Sequence, residues 1–295
     1  MLSLFIVITV GCWGVWGILD KKALASSTDA GVLFRLYSLA TIQVPVSYFA
    51  LSVLQPDFNI SSGAWYWTAI AAVFQLFSLA SYLVAMTITD ASLVLGATAA
   101  YPVVTQFLAV AFLGETLDPI RTIGSAGIAS GVIAIGMSAQ GSSKKLSARE
   151  KTSLTFAVLF AMFGWGIWGI FDKKAVAFGT PSEIWLAETA WECLLMIVCF
   201  VIARVIKYDI ELKDKRAWWF SFLSAVSLAI GRMTFLYALK AAPASYVIAI
   251  TGCYPLLMYM LALWLLKEKF SKIRFAGILL IVLGGAAVQF SFPGR

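Results

Sequence analysis

The sequence is a series of apolar blocks about twenty residues long, separated by short polar or charged segments. A helix that crosses a bilayer needs about 20 apolar residues, since each residue adds about 1.5 Å. Only 13% of the 295 residues are charged, while 61% are hydrophobic. Soluble domains carry about 25% charged residues, which cover their surface. The pattern therefore predicts an all-α integral membrane protein.

The apolar blocks and the breaks between them predict ten transmembrane helices. We place them at roughly 3–19, 31–53, 64–87, 92–113, 121–138, 153–171, 184–206, 217–239, 244–266 and 273–291. The most polar linker falls in the middle of the chain. This division predicts a first five-helix unit at 1–140, a polar linker at 141–152 and a second five-helix unit at 153–295.

An eleven-residue segment near the start of the chain returns 152 residues later. Trp13–Ala23 and Trp165–Ala175 are identical at nine of eleven positions, and Tyr101-Pro102 matches Tyr254-Pro255 at an offset of 153. Because each unit holds an odd number of helices, the second must enter the membrane from the opposite side. The sequence therefore predicts two inverted repeats, an arrangement typical of secondary transporters.

The late segments Leu113-Gly114-Glu115-Thr116-Leu117 and Leu266-Lys267-Glu268-Lys269-Phe270 precede glycine-rich last helices. With the duplicated aromatic-glycine first helix, they make the chain resemble the drug/metabolite transporter superfamily, and within it the EamA group. The second segment departs from the pattern, because Lys267 stands where the first has Gly114. The resemblance implies a transporter of small metabolites whose first helix in each half lines the central path.

The net charge of +7 arises from basic residues between the apolar blocks. There they set topology, and no contiguous basic face favours nucleic-acid binding. The loops after odd-numbered predicted helices hold 15 Lys and Arg residues, against 5 on the other side. This bias predicts a multi-pass protein of the cell (inner) membrane with both termini outside, whereas many relatives are drawn with both inside.

The chain shows no pattern typical of an enzyme or of ATP-driven transport. It has no histidine, and its four cysteines lie in apolar blocks without a CxxC spacing, so neither a metal nor a cofactor is expected. A Walker-type phosphate loop is also absent. The N-terminus lacks a basic region before its apolar block, which favours a retained first helix over a cleaved signal peptide.

Ionisable residues inside apolar helices are costly and usually face a cavity or a partner. Four such residues are candidate substrate-binding groups: Arg35, Glu188, Glu192 and Arg232. Glu188 and Glu192 are four residues apart and share a helix face, so they are also candidates for proton coupling. The alternative is that Arg232 forms a structural ion pair with Glu188 or Glu192.

Aromatic residues provide the other candidate substrate contacts. Trp13 and Trp16, like Trp165 and Trp168, are three residues apart and share a helix face; the alternatives are a cavity lining or plain packing. Tyr82, Tyr101 and Tyr254 complete the candidate set. Candidate hinges are Gly17, Gly169, Pro102 and Pro255, the prolines being predicted to kink continuous helices. Glu115 and Glu268 are predicted to be structural.

The leading hypothesis is a secondary transporter of amino acids or related zwitterions, acting outward by alternating access, with protons as a candidate coupling ion. The second is efflux of drugs or lipophilic cations. It ranks lower because small relatives with that activity use a glutamate in the first helix, which this chain lacks. A receptor or enzyme ranks third. The expected partners are a small-molecule substrate and the bilayer, with the protein a monomer or a homodimer.

Overall fold

The protein is described by a computed structural model covering residues 1–25, 31–116, 119–138, 146–206 and 214–290. Those ranges are helical and contain no strand. In chain order the helices are α1 Leu2–Ala25, α2 Gly31–Leu54, α3 Ser62–Ile88, α4 Ala91–Thr98, α5 Tyr101–Leu113, α6 Pro119–Ser138, α7 Ala148–Ala175, α8 Pro181–Val205, α9 Lys215–Ala241, α10 Ala244–Thr251, α11 Pro255–Leu265 and α12 Lys272–Phe290.

Eight segments of the described ranges are long and apolar enough to cross a membrane. Two of them are composite: α4 with α5 covers Ala91–Leu113, and α10 with α11 covers Ala244–Leu265. Helices α6 and α12 occupy two further predicted positions and pack against each other. The chain is thus a multi-pass membrane protein, and its helices begin and end within a few residues of most predicted boundaries.

Polar residues fix where several helices begin. Thr180 and Glu183 form a capping box at the start of α8, and Ser147 and Glu150 form another at α7. At α9 the Asp214 carboxylate accepts from the amides of the first turn. Such caps satisfy the amide groups that have no partner within the helix. They are well suited to helix ends at the edge of a membrane.

Two predicted helix ends were too early, by six residues in the first helix and by four in the sixth. The first and sixth predicted helices stop at 19 and 171, whereas α1 runs to Ala25 and α7 to Ala175. Asp20 and Asp172 therefore lie inside helices, and both are fully buried. The charged Asp-Lys-Lys sequence suggested a loop, but each aspartate gains a basic or hydroxyl partner from a neighbouring helix.

The prediction that Pro102 and Pro255 kink continuous helices was wrong. The helix instead breaks between α4 and α5 and between α10 and α11, and Pro102 and Pro255 lie in the first turn of the second segment. A proline is well tolerated there, because the amide it lacks would have no helical partner. The residues in these breaks are largely buried among the other helices.

Neighbouring helices come mostly from opposite halves of the chain. Helix α1 packs on α9 and α11, and its counterpart α7 packs on α3 and α5. Helix α2 packs on α8, and α6 packs on α12. In the last pair, glycines bring the backbones together: a Cβ at Gly131 would clash with the carbonyl of Gly277, and one at Gly124 with that of Gly284. Small residues commonly allow such close packing in membranes.

Each short helix that opens a composite span is capped by a glutamate from the other half. Glu115, after α5, accepts from the amides of Ala244 (2.8 Å) and Ser245 (3.3 Å) at the start of α10, and from the Ser245 hydroxyl. Glu268, after α11, accepts from the amide of Ala91 at 3.0 Å and from the hydroxyl of Ser92, at the start of α4. Both glutamates are structural caps.

A central cavity with aromatic walls and one charged end

The helices of both halves surround a central cavity with a volume of about 40 Å³. Most of the predicted substrate-binding residues line it. The lining consists of Trp13, Trp16, Gln43, Gln75, Tyr101, Trp165, Trp168, Glu188, Thr189, Glu192, Leu228, Arg232 and Tyr254.

The aromatic walls repeat between the halves. Trp16 stacks on Tyr82 at a centroid distance of 5.1 Å, and Trp168 stacks on Phe235 at 5.4 Å. These are equivalent positions, at offsets of 152 for the tryptophans and 153 for their partners. Tyr82 therefore supports the wall behind Trp16 and is itself fully buried. The tryptophans predicted from the repeat do share one cavity.

Two further aromatic contacts, at equivalent positions, join a tryptophan of one half to a tyrosine of the other half. Trp13 meets Tyr254 edge-on at 6.0 Å, and Trp165 meets Tyr101 edge-on at 6.3 Å. Trp16 and Trp165 meet across the cavity at 6.2 Å. Edge-on and offset contacts are the favoured geometries of aromatic pairs, because the ring edge is positive and the face negative. The walls are therefore packed in a low-energy arrangement.

Glycines of α1 and α7 allow these helices to approach the short helices. A Cβ at Gly17 would clash with the Leu95 side chain of α4, and a Cβ at Gly169 with the Ile248 side chain of α10. Gly17 and Gly169 are thus sites of close packing beside the cavity. Their role as hinges stays a prediction.

One end of the cavity carries an ionic cluster around Arg232. Its guanidinium pairs with Asp172 at 2.5 Å and with Glu188, and it lies 4.2 Å from the centre of the Trp168 ring. The indole nitrogen of Trp168 donates to Glu188 at 2.8 Å. Arg232 and Glu188 form the ion pair considered as one alternative, and both also line the cavity. The two interpretations are therefore compatible.

Glu192 lies one helical turn beyond Glu188 and also lines the cavity. In the part of the chain that the structure describes, no ion pair or hydrogen bond engages its carboxylate. Arg232 is already shared between Asp172 and Glu188. Three carboxylates and one guanidinium therefore lie at this end of the cavity.

Arg35 is not brought to the cavity lining. Its Nε donates to Asp20 at 2.6 Å, and its Nη2 donates to the Ser224 hydroxyl at 2.6 Å. The Ser224 hydroxyl in turn donates to Asp20 at 2.5 Å. The cluster joins α1, α2 and α9, and Arg35 and Asp20 are almost completely buried. The geometry gives Arg35 a structural ion pair.

Sequence reasoning missed Asp172, three polar lining residues and the apolar lining residue Leu228. Asp172 was placed in a loop, although its position in a repeated segment at the end of an apolar block was a usable signal. Gln43, Gln75 and Thr189 are polar residues in apolar helices, and all three line the cavity.

Within the described ranges, no group of three or more His, Cys, Asp or Glu side chains could hold a metal ion.

Comparison with known families agrees with this architecture. The model of the EamA-like transporter family matches residues 1–137 and again residues 152–288. The chain belongs to the EamA-like transporter family, and the resemblance inferred from the sequence is confirmed. It is a membrane transporter of the drug/metabolite type, a class distinct from enzymes.

Individual relatives add less about activity. An uncharacterized protein of Methanocaldococcus jannaschii is 29% identical over 134 residues, which are 45% of this chain and 93% of that protein. A crystal structure of another protein aligns over 100% of this chain and 99% of its own, with a TM-score of 0.73 and 16% identity. At that identity the likeness shows the fold alone.

Proposed function

We propose that the protein is a secondary transporter that exports amino acids or related small zwitterions through the central cavity. The observation that carries this proposal is the free carboxylate of Glu192 beside the aromatic walls, with the Arg232 cluster one turn away. A zwitterion needs a carboxylate and aromatic faces for its ammonium group and a guanidinium for its carboxylate. The cavity has all three.

The ammonium end of such a substrate would lie between Glu192 and the tryptophans. A charge-assisted hydrogen bond to a carboxylate is roughly twice as strong as a neutral one. Indole faces add cation–π attraction of about 0.5–2 kcal/mol, depending on desolvation. Trp13, Trp16 and Trp165 supply such faces around the cavity. Together they would compensate an ammonium group for its lost hydration.

The carboxylate end of the substrate would compete with Glu188 for Arg232. A guanidinium has five N–H donors in a planar fork, which suits a carboxylate. Glu188 would then be released from Arg232 while still accepting from Trp168. A released glutamate beside Glu192 is a suitable acceptor for a proton. This exchange makes Glu188 and Glu192 our candidates for proton coupling.

We further propose ten membrane spans in two inverted repeats, at 1–140 and 153–295 with a linker at 141–152. Several contacts support this arrangement, since α1 with α9 matches α7 with α3, and the glutamate caps are exchanged between the halves. Two equivalent packings that swap between halves would give inward-open and outward-open states of similar energy. The excess of Lys and Arg after odd-numbered spans favours termini outside the cell membrane.

The test is counterflow of labelled amino acids in proteoliposomes, with and without a pH gradient. Glu192→Gln should reduce zwitterion affinity roughly tenfold or more, because it removes a charge-assisted contact. Glu183→Gln is the matched control: it lies on the same helix, outside the cavity, and glutamine can also serve in a capping box. If the protein carries no zwitterion at all, or if both variants behave alike, the substrate class is wrong.

Transport of a lipophilic cation is the second candidate. The carboxylates of Asp172, Glu188 and Glu192 and the extended aromatic surface would both accommodate one. Tetraphenylphosphonium, which has no carboxylate, separates the two hypotheses. If it is carried and zwitterions are not, this alternative replaces the first.

A further inference from the structure

A second hollow opens where α7 and α9 end, and it shares no lining residue with the central cavity. It is a wide groove with a volume of about 650 Å³. Three lysines, Lys173, Lys174 and Lys240, line it together with one carboxylate, that of Glu115. The groove is therefore formally positive by two charges. A basic groove at the end of membrane helices requires an explanation.

The ammonium groups are held in place but are not saturated. Lys173 donates to the carbonyl oxygens of Leu239 and Ala242, at 2.5 and 2.7 Å. Lys240 donates to the carbonyl of Gly179 at 2.7 Å. Since an ammonium has three N–H donors, Lys240 retains two for a ligand.

Lys174 points at aromatic rings instead of carbonyl groups. Its Nζ lies 4.8 Å from the ring centre of Trp67 and 5.9 Å from that of Phe112. Cation–π contacts leave the N–H donors on the far side available. Lys174 and Lys240 together thus offer several donors to an anion in the groove.

The one carboxylate in the groove, that of Glu115, interacts with Lys173 and can balance only one of the three lysines. Glu115 is committed to the start of α10, where it accepts from the amides of Ala244 and Ser245. Its charge is therefore largely compensated by the positive end of that helix. A ligand in the groove would meet a field dominated by the ammonium groups.

The groove lies beside side chains suited to lipid chains. Phe112 of α5 is 61% exposed, Phe178, which lines the groove, is 49% exposed, and Tyr66 at the start of α3 is 60% exposed. Aromatic residues and lysines together are typical of the boundary between hydrocarbon and headgroups. A ligand that satisfies both features has an anionic head and apolar tails.

We propose that this groove binds an anionic phospholipid. Its phosphate lies between Lys174 and Lys240, and its acyl chains lie along the exposed face of α5. Phosphate oxygens accept from the free ammonium donors, while Phe112 and Phe178 contact the chains. The lipid is a structural partner of the helix ends and is independent of the transported substrate.

The test compares phosphatidylglycerol with phosphatidylcholine at equal mole fraction, using purified protein in mild detergent. Retained lipid is counted by native mass spectrometry, and the thermal shift is measured in parallel. The wild type should retain phosphatidylglycerol preferentially. Each lysine near an anionic lipid surface contributes about fivefold in affinity, so Lys174→Gln with Lys240→Gln should weaken retention roughly 25-fold.

Lys22→Gln is the matched control. Lys22 is the repeat equivalent of Lys174 and also lies over an aromatic ring, 5.6 Å from the centre of Phe220. It should retain phosphatidylglycerol as the wild type does. If the double glutamine variant does not fold, Lys174→Gln alone replaces it, with an expected loss of about fivefold.

Three outcomes would overturn the proposal. The first is equal retention of the two lipids by the wild type. The second is equal loss in Lys22→Gln and in the groove variant, or no loss in either. The third is a full thermal shift with soluble glycerol phosphate, which would show that the groove takes a free phosphate without lipid chains.

Discussion

The pair of Asp20 and Arg35 shows how much a single charge matters in this interior. Asp20→Asn would leave the Arg35 guanidinium buried without a counter-ion, since among the described residues its only other side-chain partner is the neutral hydroxyl of Ser224. Removing one partner of a buried pair typically costs about 3–5 kcal/mol. We expect a large fall in the thermal unfolding midpoint in detergent.

The matched control for Asp20→Asn removes the other charge as well. In the double variant Asp20→Asn with Arg35→Met, no uncompensated charge remains, so part of the lost stability should return. A single variant as stable as the wild type would show that the pair does not stabilise the fold.

For single residues, the sequence indicated which side chains are important more readily than it indicated which side chains they contact. The four tryptophans were identified because the segment that holds them is repeated, and all four line the cavity. Arg35 was proposed for the substrate because a charge in an apolar helix needs a partner. The sequence did not show that Asp20, fifteen residues earlier, is that partner. Contacts between helices depend on rotation and depth, which apolar composition does not encode.

Among the helices, the contact of α6 with α12 depends on the absence of side chains. Gly131→Ala would place a Cβ against the backbone carbonyl of Gly277, which cannot rotate away. The helices would have to separate, so we expect a lower unfolding midpoint. Gly11→Ala is the control, because nothing lies within 4 Å of its added Cβ. That variant should be neutral or stabilised by up to about 1 kcal/mol. Equal effects in both variants would contradict the packing argument.

The exchanged caps make a second prediction about helices. Glu115→Ala and Glu268→Ala should each destabilise the protein by about 0.5–2 kcal/mol, the usual cost of losing a helix cap. Because the two caps are equivalent, the two losses should be similar in size when measured by thermal unfolding. Glu150→Ala, which removes part of an exposed cap at α7, should cost less. No loss in either of the first two variants would contradict the capping role.

The positions of the helices were largely predictable, because the length of each apolar block can be counted in the sequence. The breaks after α4 and α10 could not be predicted. Pro102 and Pro255 signal a disturbance, but a proline is compatible both with a kink and with a new first turn. The structure has the second, with Ala99–Ala100 and Gly252–Tyr254 between the segments.

For the whole molecule, the central prediction is that equivalent positions lie on opposite sides of the membrane. Ser62 and Lys215 are exposed first residues of α3 and α9, at the repeat offset of 153. In a variant without the native cysteines, Ser62→Cys and Lys215→Cys should react with an impermeant thiol reagent from opposite faces of intact cells or vesicles. Labelling of both from one face would refute the inverted arrangement.

At this largest scale, the sequence indicated duplication but not how the halves meet. The repeat predicts two similar units, and either unit could have packed its helices among themselves. In the structure α1 packs on α9 and α3 on α7 instead. The choice is made by shape, where Trp13 fits against Gly231 and Val104 against Gly166. Such complementarity is visible only in three dimensions.

The exchange of glutamates has a consequence for how the chain can be divided. A fragment ending near residue 138 would contain α4 but not the Glu268 carboxylate that caps it. The remaining fragment would contain α10 but not the Glu115 carboxylate that caps that helix. Each fragment holds what the other lacks. We therefore expect neither fragment to fold on its own, because the helix ends of each depend on a carboxylate from the other.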